Sequence, residues 1–389
     1  MTATVRFAIL LVMSALSAAV VAAKDAPRAA IAPDPKAAAL IQELGLIESI
    51  APLREQKGWK PPRRIVLSAA GPYNPSSAES MQAMQAMAPG VEFIVTRTPE
   101  EMIANAASAD ALLGVDGLVC DQRMLDAGKK ARWIGIFSAG VEECLGKNGL
   151  DRAGLTITNM RAVAGPVMAE HSIGLMFALS RSLQVSIGRQ ATGEGWSNNF
   201  AGSRPQALSG KTLLVVGLGG IGTEVARRAH ALGMNVIATR ASSRDKPEFV
   251  SHVGLPDELP TLIGRAHVVV SALPLVPATT NLFDAKMFAR MKKNAFFINV
   301  GRGGSVVTND LVQALNDGII AGAGLDVTEP EPLPKDHPLW KAKNIIITPH
   351  MSAQSDLGQS ARELILREQV RRFAAGDKLL AVVDFKKGY

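Results

Sequence analysis

A glycine-rich segment between an apolar run and a helical pattern constrains this chain more than any other feature. In "LLVVGLGGIGTEVARRAHALG", Gly217, Gly219 and Gly222 have the spacing G-x-G-x-x-G. Gly217 permits a tight turn, Gly219 lets the backbone approach a pyrophosphate, and Gly222 lets the helix pack on the strand. The helix N-terminus adds N–H groups and the positive end of its dipole. The segment therefore predicts a dinucleotide site, with Gly220 and Ile221 as further contacts; a glycine-rich turn that binds nothing is the alternative.

Short apolar or β-branched runs alternate with helical stretches along most of the chain. Five such runs, from "RIVLSAA" to "LTITNM", precede the glycine-rich segment, and six, from "KTLLVVGLGGIG" to "NIIITPH", form a second series. This alternation predicts an α/β fold with two doubly wound parallel-sheet domains, a Rossmann coenzyme domain inserted into a flavodoxin-like substrate domain. A long helix from Pro166 to about Gln190 separates the two series. The last helical pattern lies beyond the second series, so we expect the chain to return to its first domain.

The N-terminus has the order of a secretory signal peptide. One arginine precedes an uncharged apolar run from Phe7 to Val21, and small residues follow before Lys24. The run is shorter than the about 20 residues of a membrane span, and we expect no span in the mature protein. We predict export; a mistaken start codon, which implies a cytoplasmic protein, or an uncleaved anchor is the alternative.

The predicted boundaries are 1–23 for the signal peptide, 24–64 for an extension, 65–163 for the first part of the substrate-binding domain, 164–349 for the coenzyme domain and 350–389 for the return.

Charge and cysteine content argue against two classes of site. The formal net charge is +7, but lysine and arginine are spread among aspartate and glutamate, so we expect no nucleic-acid partner. Only two cysteines occur, Cys120 and Cys144, and they form neither a disulfide framework nor a Cys-x-x-Cys metal pair. We interpret them as two buried thiols and expect no metal site.

The residue that ends the second strand of the coenzyme domain bears on the choice of dinucleotide. Arg240 lies eighteen positions after Gly222, where an acid normally accepts hydrogen bonds from the adenosine ribose. An acid there repels a 2′-phosphate, whereas a guanidinium pairs with it through charge-assisted hydrogen bonds. Ser242, Ser243 and Arg244 follow and could add donors. The pattern favours NADP; NAD is the alternative if Arg240 is only a solvated side chain.

Three later segments place polar side chains at predicted strand ends. Arg302 follows the apolar run in "FFINVGRGG", and His350 follows that in "NIIITPH". Between them, "GAGLDVTEPEP" contains Asp326, Glu329 and Glu331. Ligands of open α/β sheets bind outside the carboxyl ends of the strands, where an arginine can hold a carboxylate and polarise a carbonyl group. A histidine paired with a carboxylate has a raised pKa, which suits a group that gives a proton to a carbonyl and takes it back.

Glu170 and His171 are adjacent on the predicted long helix. Adjacent helical positions point in different directions, so joint metal binding or acid–base work is not expected. We interpret His171 as a packing or helix-linking residue.

At the strand-end motifs the chain resembles the D-isomer-specific 2-hydroxy acid dehydrogenases, which include glyoxylate/hydroxypyruvate reductases and phosphoglycerate dehydrogenase. The resemblance runs over residues 65–372 and is strongest over 209–354. It implies that Arg302 of "NVGRG" binds the substrate carboxylate and carbonyl. It selects Glu331, five residues after the aspartate of "LDV", as the partner of the catalytic histidine, which is His350 of "TPH".

The resemblance implies further contacts. Backbone amides of "SAGVE" bind the substrate carboxylate, namely those of Ala139, Gly140 and Val141. Asp326 would help hold the nicotinamide carboxamide. The remaining cofactor contacts are expected at Leu273, Pro274, Val300 and Gly301. A homodimer through the coenzyme domain is also implied.

These observations predict an NADP-preferring enzyme that interconverts a small 2-oxo acid and its D-2-hydroxy acid by hydride transfer. One alternative is a non-catalytic dinucleotide-binding sensor or corepressor-like protein that acts by binding partners; the presence of Arg302, Glu331 and His350 argues against it. The other is a dehydrogenase of the same fold that oxidises formate or phosphite instead of a hydroxy acid.

Overall fold

The computed structural model describes residues 31–70, 75, 77–200, 202, 204–241 and 243–385. The predicted signal peptide and Ser242 lie outside the described residues. Helices cover the faces of two all-parallel β-sheets, which confirms the predicted α/β fold with two parallel-sheet domains. Within the described residues, no helix combines the length and the apolar character that a membrane crossing requires.

Short strands build the two sheets, and α-helices connect and cover them. The strands are β1 (Arg64–Ser68), β2 (Glu92–Thr96), β3 (Ala111–Gly114), β4 (Trp133–Ile136), β5 (Thr156–Thr158), β6 (Thr212–Val216), β7 (Asn235–Thr239), β8 (His252–Gly254), β9 (Val268–Ser271), β10 (Phe296–Asn299), β11 (Gly322–Leu325) and β12 (Ile345–Ile347). The α-helices are α1 (Pro35–Glu43), α2 (Ala78–Met87), α3 (Pro99–Ala106), α4 (Asp116–Val119), α5 (Gln122–Ala127), α6 (Gly165–Ser180), α7 (Leu183–Thr192), α8 (Gly220–Ala231), α9 (Leu259–Leu262), α10 (Ala285–Arg290), α11 (Thr308–Asn316) and α12 (Asp356–Ala375).

The first sheet has the strand order β2-β1-β3-β4-β5, which is the order of flavodoxin-like domains. All five strands coincide with runs predicted from the sequence. The central strands are apolar on both faces because helices cover the sheet on both sides. The run "ALLGVDGLV" is divided, since β3 ends at Gly114 and α4 begins two residues later.

Both ends of the described chain pack on this first sheet. Helix α12 packs against α1 and α2, and the Phe373 ring lies 5.1 Å from that of Trp133 in β4. The segment before β1 is tied to the residues after α12, since the amide of Ser49 donates to the carbonyl oxygen of Leu379 at 2.7 Å. The described part of the predicted extension 24–64 therefore packs on the first sheet, where Leu46 and Leu53 belong to the core.

The second sheet has the order β12-β11-β10-β9-β6-β7-β8. Counted from β6, its first six strands follow the Rossmann order 3-2-1-4-5-6, and β12 adds a seventh at one edge. The sequence predicted six strands; the missed one is β8, whose three residues are too few to show a periodic pattern.

The predicted helix from Pro166 to Gln190 is two helices. Pro166 lies in the first turn of α6, as predicted, but α6 ends at Ser180 and α7 begins at Leu183. Ser182 between them has a left-handed backbone with φ of 55°, which ends the hydrogen-bond ladder of one helix and redirects the next. Helix α6 packs into the core, whereas no residue of α7 is buried.

The prediction of two buried thiols is wrong, because Cys120 and Cys144 form a disulfide. Both residues are buried, and their Cα atoms lie 5.0 Å apart. Cys120 directly follows α4, and the short turn Glu142–Cys144 packs on that helix. The chain between them passes through β4 and returns, so the two cysteines meet only in the folded domain.

Candidate active site

The glycine-rich segment forms a tight turn between β6 and α8. Gly217 has φ of 98°, and a side chain at Gly222 would place its Cβ 2.1 Å from the carbonyl oxygen of Gly217. A Cβ at Gly219, in contrast, would meet no atom within 4 Å. The turn therefore packs closely on its inner side and leaves its outer side open beside the first amides of α8. These residues fit a dinucleotide pyrophosphate, as the spacing predicted.

Two further residues of this segment serve packing. A Cβ at Gly220 would lie 2.7 Å from Cβ of Ala162, so the glycine allows α8 to begin against the chain that enters from the first sheet. The Ile221 side chain is partly buried and packs in the core of the second sheet. Only the backbone amides of Gly220 and Ile221, at the start of α8, are available to a phosphate.

Other predicted cofactor contacts lie at the ends of β9 and β10. A Cβ at Gly301 would lie 2.5 Å from the carbonyl oxygen of Leu273, so the two chains touch there. Leu273 and Pro274 are partly exposed, whereas Val300 is fully buried in the core. The Val300 side chain is therefore not exposed to a cofactor. It packs the end of β10 into the core.

Basic side chains follow the end of β7, but each already has a partner. Arg240 is half-buried, and its Nη1 donates to the carbonyl oxygen of Asp245 at 3.0 Å. Arg244 is exposed and pairs with Glu258, with 2.6 Å between Nη2 and Oε1. The Arg244 hydrogen bond lowers the pKa of Glu258 to about 2. The Ser243 hydroxyl donates to the carboxylate of Asp245. To bind a phosphate here, Arg240 would have to give up or share its hydrogen bond to a carbonyl, and Arg244 its ion pair with Glu258.

His350 and Glu331 form the pair that the sequence predicted. Nδ1 of His350 lies 2.5 Å from Oε1 of Glu331, and both side chains are partly exposed. His350 has φ of 49° and its amide donates to the carbonyl oxygen of Asp326 at 2.8 Å, which fixes the backbone at this position. Since Nδ1 is engaged by the carboxylate, Nε2 is the nitrogen that can exchange a proton with a substrate. The backbone carbonyl of Glu329, the other acid considered, accepts a hydrogen bond from the Thr308 hydroxyl at 2.8 Å.

Asp326 is buried and its oxygens are taken by protein donors. Its Oδ1 accepts hydrogen bonds from the Thr348 hydroxyl at 2.6 Å and the Met351 amide at 3.0 Å, and its Oδ2 accepts one from the Ser352 amide at 3.0 Å. Burial alone would raise the pKa of this carboxyl, but the hydrogen bonds outweigh burial and lower the pKa. Asp326 is 1% exposed, and its hydrogen bonds hold the segment that carries His350. The contact with the nicotinamide carboxamide stays a prediction.

His171 adds to this support from α6. Its Nε2 lies 2.9 Å from Oγ1 of Thr348, which in turn donates to Asp326. Glu170 points elsewhere and lies 3.5 Å from Nη2 of Arg228 in α8. The two adjacent side chains therefore have separate partners, and His171 links a helix to the loop, as the sequence predicted.

The predicted substrate loop follows β4 and is held by side chains. Nδ2 of Asn159 donates to the carbonyl oxygen of Ala139 at 2.7 Å. The Ser138 hydroxyl lies 3.2 Å from Oδ1 of Asp116. Val141 is buried, and Cys144 ties the far end of the loop to α4. Hydrogen bonds and the disulfide therefore hold the loop in place on the first domain.

Arg302 meets this loop across the two sheets. A Cβ at Gly140 would lie 2.1 Å from Nη2 of Arg302, so the guanidinium rests on the Gly140 backbone. Nε of Arg302 pairs with Oε1 of Glu142 at 2.9 Å, and Nη1 donates to the carbonyl oxygen of Gly301 at 2.8 Å. The structure thus brings the predicted arginine to the predicted loop.

The predicted catalytic residues Arg302 and His350 lie at the same end of the second sheet as Asp326. Arg302, Asp326 and His350 follow the carboxyl ends of the neighbouring strands β10, β11 and β12, which lie on one side because the strands are parallel. The loop after β10 also touches the segment that leads to Glu331, since a Cβ at Gly303 would lie 1.8 Å from the carbonyl oxygen of Thr328. Such an arrangement can hold a carboxylate and deliver a proton to a neighbouring carbonyl oxygen.

Glu142 and Asp116 are the site residues that the sequence reasoning missed. Glu142 is the last residue of the "SAGVE" motif, so its position beside the predicted substrate loop was visible. Its partner Arg302 is 160 residues further along the chain, and no sequence pattern joins the two. Within the described part of the chain, no group of three or more His, Cys, Asp or Glu residues is arranged to hold a metal ion.

Known proteins share this sequence pattern. The family model described as D-isomer specific 2-hydroxyacid dehydrogenase, NAD binding domain, matches residues 173–352. The chain is 33% identical over 294 residues to D-3-phosphoglycerate dehydrogenase of Methanocaldococcus jannaschii, which covers 76% of this chain and 55% of that protein. It is 33% identical over 276 residues to glyoxylate reductase of Thermofilum pendens, which covers 70% of this chain and 80% of the relative.

A solved structure shares the fold as well. The NADPH-dependent glyoxylate/hydroxypyruvate reductase of Sinorhizobium meliloti, in complex with NADP and sulfate, has a TM-score of 0.69 and 28% identity over 84% of this chain and 100% of that one. The chain thus spans about half the length of the phosphoglycerate dehydrogenase and most of the length of the two reductases. It belongs to the D-isomer-specific 2-hydroxyacid dehydrogenases, a family of NAD(P)-dependent oxidoreductases that act on CH–OH donors.

Proposed function

We propose that this protein interconverts a small 2-oxo acid and its D-2-hydroxy acid, with NADP as the preferred cofactor. The observation that carries the proposal is the contact of Arg302 with the Gly140 backbone, while the His350–Glu331 pair lies on the same sheet edge. One group binds a carboxylate and the other moves a proton. A 2-oxo acid presents both a carboxylate and an adjacent carbonyl oxygen, and therefore uses both groups.

In this mechanism the chain binds, orients and protonates the substrate. Arg302 and the amides of Gly140 and Val141 hold the carboxylate, and Arg302 also stabilises negative charge that develops on the carbonyl oxygen. His350 delivers a proton from Nε2 to that oxygen, while Glu331 at Nδ1 stabilises the imidazolium before transfer. When bound, the nicotinamide supplies the hydride that reduces the carbonyl carbon. Closure of the two domains would exclude water from the site.

The preference for NADP rests on Arg240. Arg240 follows β7, at the strand end where an acidic residue that binds the ribose hydroxyls would repel a 2′-phosphate. The Sinorhizobium meliloti reductase, which shares the fold, is described as NADPH-dependent and was solved with NADP. Arg244 is a weaker support because it already pairs with Glu258.

A substrate panel tests the activity and the cofactor together. Purified protein is assayed with glyoxylate, hydroxypyruvate and bulkier 2-oxo acids, each with NADH and NADPH, by the absorbance of the reduced nicotinamide. We expect turnover of at least one 2-oxo acid and a higher specificity constant with NADPH. Binding of NADPH without turnover of any 2-oxo acid would contradict the proposal and favour a sensor; oxidation of formate or phosphite would identify the third alternative.

We also propose a homodimer through the coenzyme domain. Helix α7 has no buried residue, and its apolar side chains Leu183 and Ile187 are exposed. Phe177, near the end of the preceding helix α6, is exposed as well. A shallow apolar groove of about 470 Å³ lies between α6 and α8. A second copy would cover both. Light scattering of the wild type and of an Ile187→Glu variant tests this proposal. We expect the wild type to be a dimer and the variant to be a monomer. A monomeric wild type would contradict the proposal.

Export is the remaining proposal. The sequence from Phe7 to Val21 supports it, and so does the Cys120–Cys144 disulfide, because disulfides persist in oxidising compartments. Fractionation of cells and mass spectrometry of the mature N-terminus test it. A chain that retains Met1 and carries two free thiols in the cytosol would contradict it.

A further inference from the structure

We propose that Glu142 is a specificity-determining residue: its carboxylate competes with the substrate carboxylate for Arg302 and selects 2-oxo acids that carry a single negative charge. The inference rests on the proposed function of Arg302. It adds a restraint on that site which the catalytic residues alone do not provide.

Glu142 occupies the same donors that a substrate carboxylate needs. Oε1 lies 2.9 Å from Nε of Arg302, and Oε2 lies 3.3 Å from Nη2. This is a two-pronged contact along one edge of the guanidinium, the geometry in which arginine binds carboxylates most strongly. The third nitrogen, Nη1, donates to the carbonyl oxygen of Gly301 at 2.8 Å. A substrate that takes the Nε–Nη2 edge must therefore displace Glu142.

The ion pair also lies on the loop where the substrate is expected. A Cβ at Gly140 would be 2.1 Å from Nη2 of Arg302 and 2.3 Å from Oε2 of Glu142. The carboxylate of Glu142 thus lies directly over the backbone whose amides would bind the substrate. The Glu142 carboxylate and the substrate carboxylate therefore compete for the same position beside Arg302.

A displaced Glu142 would remain next to another acid. Burial raises the pKa of Asp116, the Ser138 hydrogen bond opposes this, and the charge of Glu142 raises it further, so the two carboxylates act on each other. A monoanionic substrate replaces one negative charge at Arg302 with another. A dianionic one brings an additional charge toward both acids, which is unfavourable.

The ion pair can be removed without loss of the fold. Both side chains are 28% exposed, so solvent reaches the pair and reduces its contribution to stability. Glu142 belongs to a loop that Asn159 and the disulfide hold independently. The neighbouring Glu143 is exposed and offers a control with the same change of charge one residue away.

The experiment compares the wild type, Glu142→Gln and Glu143→Gln in steady-state kinetics with 2-oxopentanoate and 2-oxoglutarate, which have equal chain lengths and differ by one charge. For Glu142→Gln we expect the KM for 2-oxopentanoate to fall about tenfold, equivalent to about 1.4 kcal/mol, with little change in kcat. We expect the specificity constant for 2-oxoglutarate, or its inhibition constant where it is not turned over, to improve by a larger factor. Glu143→Gln should match the wild type.

Calorimetric titration with oxamate, an analogue that cannot be reduced, measures the same competition without turnover. Tighter binding by Glu142→Gln supports the proposal. Equal or weaker binding, with a normal thermal unfolding curve, would show that Glu142 orients Arg302 instead, and would overturn it. A wild type that turns over no 2-oxo acid contradicts the proposed function, whereas turnover with an unchanged KM in Glu142→Gln contradicts the role of Glu142 alone.

Discussion

The coenzyme side and the substrate side of the candidate active site are built by different means. On the coenzyme side the backbone itself forms the site: a Cβ at Gly222 would lie 2.1 Å from the oxygen of Gly217, so the turn tolerates no side chain there. On the substrate side, a disulfide and the Asn159–Ala139 hydrogen bond hold the loop, and the Glu142 carboxylate lies against the Gly140 backbone. The candidate pyrophosphate site thus depends on backbone packing, whereas the candidate substrate site adds side chains such as Arg302 that can be exchanged one at a time.

His350 tests this contrast most severely, because it follows a strand of the coenzyme domain and acts on the substrate. We expect His350→Gln to lower kcat about a thousandfold, since general acid–base catalysis contributes roughly 10²–10⁴-fold. Dinucleotide affinity, measured by fluorescence titration, should not change. A kcat close to that of the wild type would remove His350 from the mechanism.

Removal of the disulfide should loosen the substrate side alone. The bridge spans 24 residues, so we expect the Cys120→Ala/Cys144→Ala double variant to lose about 3 kcal/mol of unfolding free energy in urea. The KM for the 2-oxo acid should rise and the KM for the dinucleotide should not. Wild type treated with a reductant provides the control. An equal rise in both constants would show that the two sides are not independent.

Two glycines separate packing from ligand space on the coenzyme side. Gly222→Ala places a methyl group against backbone, and we expect a loss of about 2 kcal/mol in unfolding free energy together with weaker dinucleotide binding. Gly219→Ala points into open space, so stability should be unchanged while dinucleotide binding weakens. Thermal unfolding and fluorescence titration measure the two effects. Full dinucleotide affinity in Gly219→Ala would place the pyrophosphate elsewhere.

The smallest effect is expected at Arg240, where a side chain and not the backbone would make the contact. Arg240→Asp should shift the ratio of specificity constants toward NADH by about tenfold, which corresponds to about 1.4 kcal/mol. Arg244→Gln is the comparison, and it should shift the ratio less because Arg244 already pairs with Glu258. An unchanged ratio in Arg240→Asp would show that this arginine does not read the 2′-phosphate.

Local patterns were sufficient to predict the sheets and to place candidate polar side chains at the strand ends. Buried strands such as β6 and β10 are continuous apolar runs, and Arg302 and His350 directly follow such runs. The choice of Glu331 over Glu329 as the partner of His350 came from the family resemblance, and the 2.5 Å contact between Glu331 and His350 agrees with it.

What the sequence did not reveal depends on distant packing. Strand β8 exists because Val253 and its neighbours pair with β7, and three residues carry no period of their own. The disulfide and the Glu142–Arg302 pair join segments that meet only after both sheets have formed. The burial of Asp326 and the donors that surround it also could not be read from the chain, because they come from residues that the fold brings together.

The position of α12 affects the order in which the protein can fold during synthesis. Strands β1 to β5 emerge first from the ribosome, but the helix that covers one of their faces ends at Ala375. The coenzyme domain is continuous from β6 to β12 and has all its strands before α12 is made. We expect the nascent chain to carry a completed coenzyme domain beside an open apolar sheet, which is the surface that a chaperone would encounter.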